Sequence, residues 1–419
     1  MSLTIIENNT EQLVNRLFDK QGYSADSVRS KNLQSFLEIG LPSKKTEEYK
    51  FTPFDTILEK VVDGADISPS ELEKEEIQSF LYNESGHHLV YIDGKYNEEL
   101  SQVAEDEAVS IAYSEELSGL NSVANEPDAF TALNTAFTSA YAKVVVKKGK
   151  EGLPVFVYHM VNATTKSFTN PRLIIQAEES SKIALVEKTW VDGEEEAFLN
   201  TVVEISVAKN ASVNLSKLQN HARNVIIHDG LKVNQAKDSR FYVNTFTFSG
   251  KQIRNNLDVA LNDQNCETHM HGLYLLNGSS HVDNHTSVDH KIANCHSNEV
   301  YKGIVDGKSH AVFNGKIFVR PDAQQTNAFQ SNNNISLSDL ATINTKPQLE
   351  IWADDVKCSH GCTIGQLDEE ALFYLRARGL DMRSAKSMLL IAFAEDTFDF
   401  IPFEFFKEEI DQLIISRLS

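Results

Sequence analysis

The stretch Val202–Phe248, VVEISVAKNASVNLSKLQNHARNVIIHDGLKVNQAKDSRFYVNTFTF, decides how the chain is read. Three runs rich in Val, Ile, Phe and Thr (Val202–Val207, Val225–Ile227 and Phe241–Phe248) are separated by Asn, Lys, Asp and Ser. Short runs of β-branched and aromatic residues bounded by turn formers describe strands. No run carries the 3.6-residue spacing of an amphipathic helix. The same texture continues outward. Val155–Tyr158, Leu173–Ile175 and Ile183–Val186 precede the stretch, Val312–Val319 and Leu349–Trp352 follow it, and no proline lies between Pro171 and Pro321. Strands recurring about every dozen residues over such a length go beyond a sandwich. A β-solenoid or β-helix accommodates them, because each coil buries its apolar side against the next. No strict sequence period is visible.

The flanks differ. Thr10–Phe18 and Ala25–Ile39 have helical spacing, and Gly40 and Pro42 stop the second run. Glu71–Leu81, after Ser68-Pro69-Ser70, reads as another helix, and His88–Gly94 as a short strand. Beyond residue 364, Asp368-Glu369-Glu370 opens a helix that Gly379 ends. Asp381 caps Met382–Ala394, which is apolar nearly all round at its end and expected to be buried. Pro402 starts an amphipathic helix with Phe403, Phe406, Ile410, Leu413, Ile414 and Leu418 on one side. The division expected is a mostly helical domain at 1–126, a β core at 127–364 and a helical domain at 365–419. The C-terminal helices have two readings, a cap over the open edge of the solenoid or a docking platform for a partner.

The whole-chain balance narrows the class. Lys and Arg number 39 against 60 Asp and Glu, a net charge of −21. Such a chain lacks the basic face that neutralises nucleic-acid phosphates or anionic lipid. Four cysteines in 419 residues are no disulfide framework. The longest apolar run, Met388–Ala394, falls far short of the roughly 20 residues of a membrane span. The first residues, MSLTIIENNTEQ, show no basic stretch followed by an apolar one, so no secretory signal is expected and the cytoplasm is the default.

Candidate chemistry is concentrated late in the chain. Cys358-Ser-His360-Gly-Cys362 places thiol, imidazole and thiol at alternate positions, on one side of an extended segment. These are ligands for soft and borderline metals and for iron–sulfur clusters. Cys358 and Cys362 read equally well as small buried hydrophobes. Seven histidines lie between His269 and His310, with Cys266 and Cys295 nearby, and His269 and His271 share a strand face. A metal would fit that pair, but a polar ladder on a solenoid's outer face is the simpler reading. The chain has no GxxxxGK[ST], no GxSxG and no GxGxxG after a strand. Asp354 and Asp355 are adjacent, so on a strand they point apart, a poor acid–base pair.

One stretch goes further. TKPQLEIWADDVKCSHGCTIGQLDEEALFYLRARG (345–379) resembles the SufB/SufD family of iron–sulfur cluster assembly proteins, as do HVDNHTSVDHK (281–291), VFNGKIFVRPDAQQTNAFQSNNN (312–334) and GLPSKKTEEYKFTP (40–53). Within the family, KCSHG and the moderate length are most like the SufD branch. The resemblance implies a mainly β protein, a right-handed parallel β-helix core flanked by N- and C-terminal α-helical domains. It implies a non-catalytic scaffold subunit that pairs with SufB through the ends of their β-helices. It also implies that an ABC-type ATPase, SufC, docks on the C-terminal helices, around Leu372, Phe373, Leu375 and Met388. Cys358 and His360 would stand at the SufB junction, where iron or a nascent cluster is held transiently in the complex. No tightly bound cofactor is expected in the isolated chain. Family members often carry a small residue at the position of Cys362, so the resemblance gives Cys362 no role. Two further readings remain, a β-helix polysaccharide hydrolase or lyase and a SufB-like homodimeric scaffold.

Overall fold

The computed structural model describes residues 9–21, 23–24, 27–65, 72, 74–123, 128–220 and 224–418. Strand residues outnumber helical ones, 44% to 24%, and a β-solenoid of about eight turns is flanked by N- and C-terminal helices. Each coil gives one strand to each of two ten-stranded sheets. Successive coils pair in parallel and in register, so that Gln219 meets Thr247, His281 meets His310 and Glu299 meets Gln330. The solenoid read from the alternating runs is therefore present.

A repeated corner bends each coil from one sheet to the other. Ser180, Asn210, Asp238, Asn265, Asn294 and Gln325 stand there with φ between 57° and 64°. Asn and Asp tolerate this left-handed conformation best, since their short polar side chains bond locally. The next residue is small and buried at each of these six corners: Ser181, Ala211, Ser239, Cys266, Cys295, Thr326. Cys266 and Cys295 are thus corner fillers, and both thiols donate to the Asp263 carbonyl, at 3.1 and 3.2 Å.

Inside the coil, apolar columns stack rung on rung, as Leu185, Leu215, Val243 and Met270 do. A polar file runs beside them. Lys217 Nζ lies 3.3 Å from Glu187 Oε2 and 2.5 Å from Asp229 Oδ2, and His159 Nε2 is 3.4 Å from Glu187 Oε1. Gln219 Nε2 donates to Asp229 and Asn255. Burial pushes the Glu187 carboxyl up, but Lys217 and His159 together hold it down at about 2. A cavity of about 10 Å³ beside this group has room for one water.

The two helical units lie against opposite flanks. Helices Asn9–Asp19, Val28–Ile39, Asp55–Val62 and Ala129–Phe137 cover the outer face of one sheet, where Phe54 and Phe130 pack on Phe168, Phe198 and Ile226. Ser27 caps Val28–Ile39, and Gly40 ends it at φ 74°. The strand His87–Ile92 pairs in parallel with Val155–Asn162, so the other sheet already begins inside the 1–126 stretch. At that end the sheets finish in short antiparallel strands, Lys95–Tyr96 and Val109–Ser114. Helix Lys74–Phe80 precedes these strands in the chain; Ser68-Pro69-Ser70 and Glu71 lie outside the described residues.

At the C-terminus, Asp368 and Asp381 accept backbone N–H bonds at the starts of Glu369–Ala377 and Met382–Ala394. The capping reading of these helices is overturned. Leu390, Ala394, Phe406, Ile410 and Ile414 pack on Phe156, Tyr158, Phe246, Leu273 and Ile304 of the sheet's outer face. An apolar helix face matches that broad sheet flank, so the helices lie alongside the solenoid rather than over its end. Met382–Ala394 buries only one side, Ala385, Leu390 and Ala394, and leaves Met388 exposed. The Leu418 side chain lies outside the described residues. Among the described residues, no helix is long and apolar enough to cross a membrane.

Candidate functional site

Strand Val356–Gly365 ends one sheet and Thr342–Ile351 ends the other, and each pairs with one neighbour. The solenoid therefore finishes in an open rim. Cys358 stacks on Ala328, His360 on Gln330 and Cys362 on Asn332. Those three partners are buried in the interior. Alternation along the strand then turns the Cys358, His360 and Cys362 side chains toward the interior from its open end. The expected thiol–imidazole–thiol face thus exists, on a rung with no coil above it.

The three residues are not equivalent. Cys358 is half-buried and packs with Ile317, Val319, Ala323, Ala328 and Ala353. Burial pushes its thiol up, so a cation beside it would be needed to favour the thiolate. His360 and Cys362 are exposed. Among the described residues, no three His, Cys, Asp or Glu side chains converge as a metal site. On its own the rim offers a partial set of soft ligands.

A polar row beneath the rim escaped the sequence reading. Gln330 Nε2 donates to Glu299 Oε2 at 2.6 Å. Burial pushes the Glu299 carboxyl up to about 7, against the hydrogen bond from Gln330. Asn332 Nδ2 donates to Tyr274 Oη and Asn334 Nδ2 to Asn332 Oδ1. Around the rim, Leu340, Ile351, Trp352 and Ile364 are exposed apolar side chains. The signal lay in residues one coil apart, which a chain without a fixed period does not align.

The histidine-rich segment is dispersed. His269 and His271 do share an outer face, but Phe400 covers them, with ring centroids 4.4 and 5.4 Å away. Burial pushes His271 down to about 4. His281 and His310 meet on the other sheet's outer face, Nδ1 to Nδ1 at 3.1 Å, and His281 Nε2 bonds the Thr52 hydroxyl at 2.9 Å. His290 Nε2 bonds Ser297 Oγ in the interior. Alternation along each strand sends residues close in sequence to opposite faces.

The residues expected to dock the ATPase differ in exposure. Phe373 is 74% exposed and Met388 51%, while Leu372 and Leu375 are half-buried.

The chain is a two-sheet β-solenoid with helical units on both flanks and a thiol–imidazole–thiol face on its open rim. Residues 159–393 match the family model described as SUF system FeS cluster assembly, SufBD core domain. The chain belongs to this family, and it is SufD-like. It is 29% identical to the iron–sulfur cluster assembly protein SufD of Escherichia coli K12, over 98% of this chain and 97% of that one. It is 30% identical to an iron–sulfur cluster assembly SufBD family protein of Synechocystis, over 90% of this chain and 88% of that one. The match leaves the polysaccharide-degrading alternative without support.

Proposed function

We propose that this chain is a non-catalytic scaffold subunit of a SufB–SufC–SufD complex in the cytoplasm, holding iron or a nascent cluster at its open rim. The observation that carries the reading is the rim itself, where Cys358 and His360 face the interior on an uncovered terminal rung. Exposed Trp352, Ile351 and Ile364 around those ligands suit an end-to-end junction with SufB, which would complete the ligand set. His360 is the metal ligand in this reading, and Cys358 a second ligand or its support. Cys362 stands exposed beside them and has no assigned part. The ATPase would dock at Phe373 and Met388, with Leu372 and Leu375 backing them. ATP hydrolysis would belong to that partner, in keeping with the absence of a GxxxxGK[ST] motif from this sequence. Its nucleotide-driven dimerisation would then move the docked helical unit against the junction.

Anaerobic reconstitution of the three-subunit complex with His360→Ala tests the reading. Cluster formation should drop severely while the complex still assembles. Undiminished cluster formation would remove the metal role. In isolation, the free rim also suits pairing with a second copy, which sedimentation of the purified chain would reveal.

A further inference from the structure

We infer that Gln330 is a positioning residue for His360: clamped by Glu299 below it, it presents its amide oxygen to the imidazole N–H and so fixes which ring nitrogen faces the rim. The inference rests on the reading of His360 as a metal ligand.

Glu299, Gln330 and His360 occupy one interior column on three successive rungs. Glu299 and Gln330 are buried, 1% and 3% exposed. The Gln330 amide nitrogen is the atom turned down to Glu299 Oε2, 2.6 Å away. The amide oxygen is then left over. Gln330 Oε1 is buried and has no hydrogen-bond partner among the described residues. An orphaned buried carbonyl of this kind is costly unless something donates to it. The side chain stacked on the free side of Gln330 is His360. The opposite sheet makes room for this amide: a Cβ on Gly315 would stand 2.0 Å from Gln330 Nε2. A carbonyl accepting the second N–H of an imidazole selects its tautomer, orients the ring and strengthens the other nitrogen as a ligand. Leu at position 330 keeps the packing volume but removes the Glu299 bond and the acceptor oxygen, so the tautomer of His360, rather than stability, separates positioning from packing.

The test uses the full-length chain with Co²⁺ as the probe, read by its visible absorption, and the ring ¹⁵N shifts of His360. Gln330→Leu should weaken Co²⁺ binding roughly 10- to 100-fold and turn a single His360 tautomer into a mixture, with a fall of about 1–3 °C in melting temperature from the lost Glu299 hydrogen bond. Gln330→Glu, which shares one proton with Glu299 and keeps an acceptor oxygen toward His360, should restore the single tautomer. If His360→Ala abolishes Co²⁺ binding while Gln330→Leu leaves both binding and tautomer unchanged, the inference is overturned and the metal role stands. If His360→Ala leaves Co²⁺ binding intact, the metal role falls. The tautomer then decides alone: a mixture in Gln330→Leu supports positioning, and an unchanged ring refutes it.

Discussion

Replacing Lys217 by Met removes the one ammonium between Glu187 and Asp229 and keeps a chain of similar length in the interior. Both carboxylates stay where they are, 5% and 4% exposed. Breaking a buried ion pair by deleting one partner costs about 3–5 kcal/mol, because the remaining charge is uncompensated. At about 2.1 cal/mol/K of unfolding entropy per residue, a chain of 419 residues loses roughly 1 °C of melting temperature per kcal/mol, so about 3–5 °C in all. The loss should depend on pH. In the wild type Glu187 is held at about 2, below its ordinary 4.5, so its contribution is whole above pH 4.5 and fades as pH falls toward 2. In the variant the carboxyls take up protons at higher pH, which relieves the uncompensated charge. Calorimetric melting at pH 7 and pH 4 reads both effects. A drop of several degrees at pH 7 that narrows at pH 4 is expected. A shift under about 1 °C at pH 7, or an equal shift at both pH values, would refute the electrostatic account of this network.

Two further outcomes follow from buried groups. Burial holds His271 at about 4 and His228 and His290 at about 3, against 6.5. The folded state keeps them neutral while the unfolded chain takes up protons, so stability should fall as pH drops below 6.5, by about 2 kcal/mol per histidine at pH 5. A denaturant midpoint unchanged between pH 7 and 5 would contradict this. Phe406 is fully buried and meets the Phe246 ring edge-on, with centroids 5.9 Å apart. Phe406→Ala should cost about 3–5 kcal/mol and expose the C-terminal helices to limited proteolysis ahead of the solenoid. Unaltered cleavage would show that the unit is held by other contacts.

The three textures of the chain were legible because periodicity reports local structure. The solenoid's repeat was not, and the corners explain why. Residues stacked one coil apart are separated by 28 positions at Gln219–Thr247, 29 at His281–His310 and 31 at Glu299–Gln330. The corner position is filled by Ser, Asn, Asp or Gln, so one conformation is written in several residue types. The polar file at Glu187, Lys217 and Asp229 also interrupts the apolar alternation that marks a strand's inner face. Cys358 and His360 could be picked out because their spacing is local. Glu299 and Gln330 could not, because their relation to His360 exists only through strand register. The flanking position of the C-terminal helices was equally hidden, since an apolar stripe does not say which surface it meets.

The two ends of the solenoid are unlike. One finishes in short antiparallel strands, the other in two full-length parallel strands with a free side. A coil stack open at both ends would be a monomer for indefinite growth, each unit templating the next. Here the far end offers only a two-residue and a six-residue strand running antiparallel, a poor template for another ten-residue parallel rung, so the direction and length of those strands limit stacking to the rim without any separate stop signal.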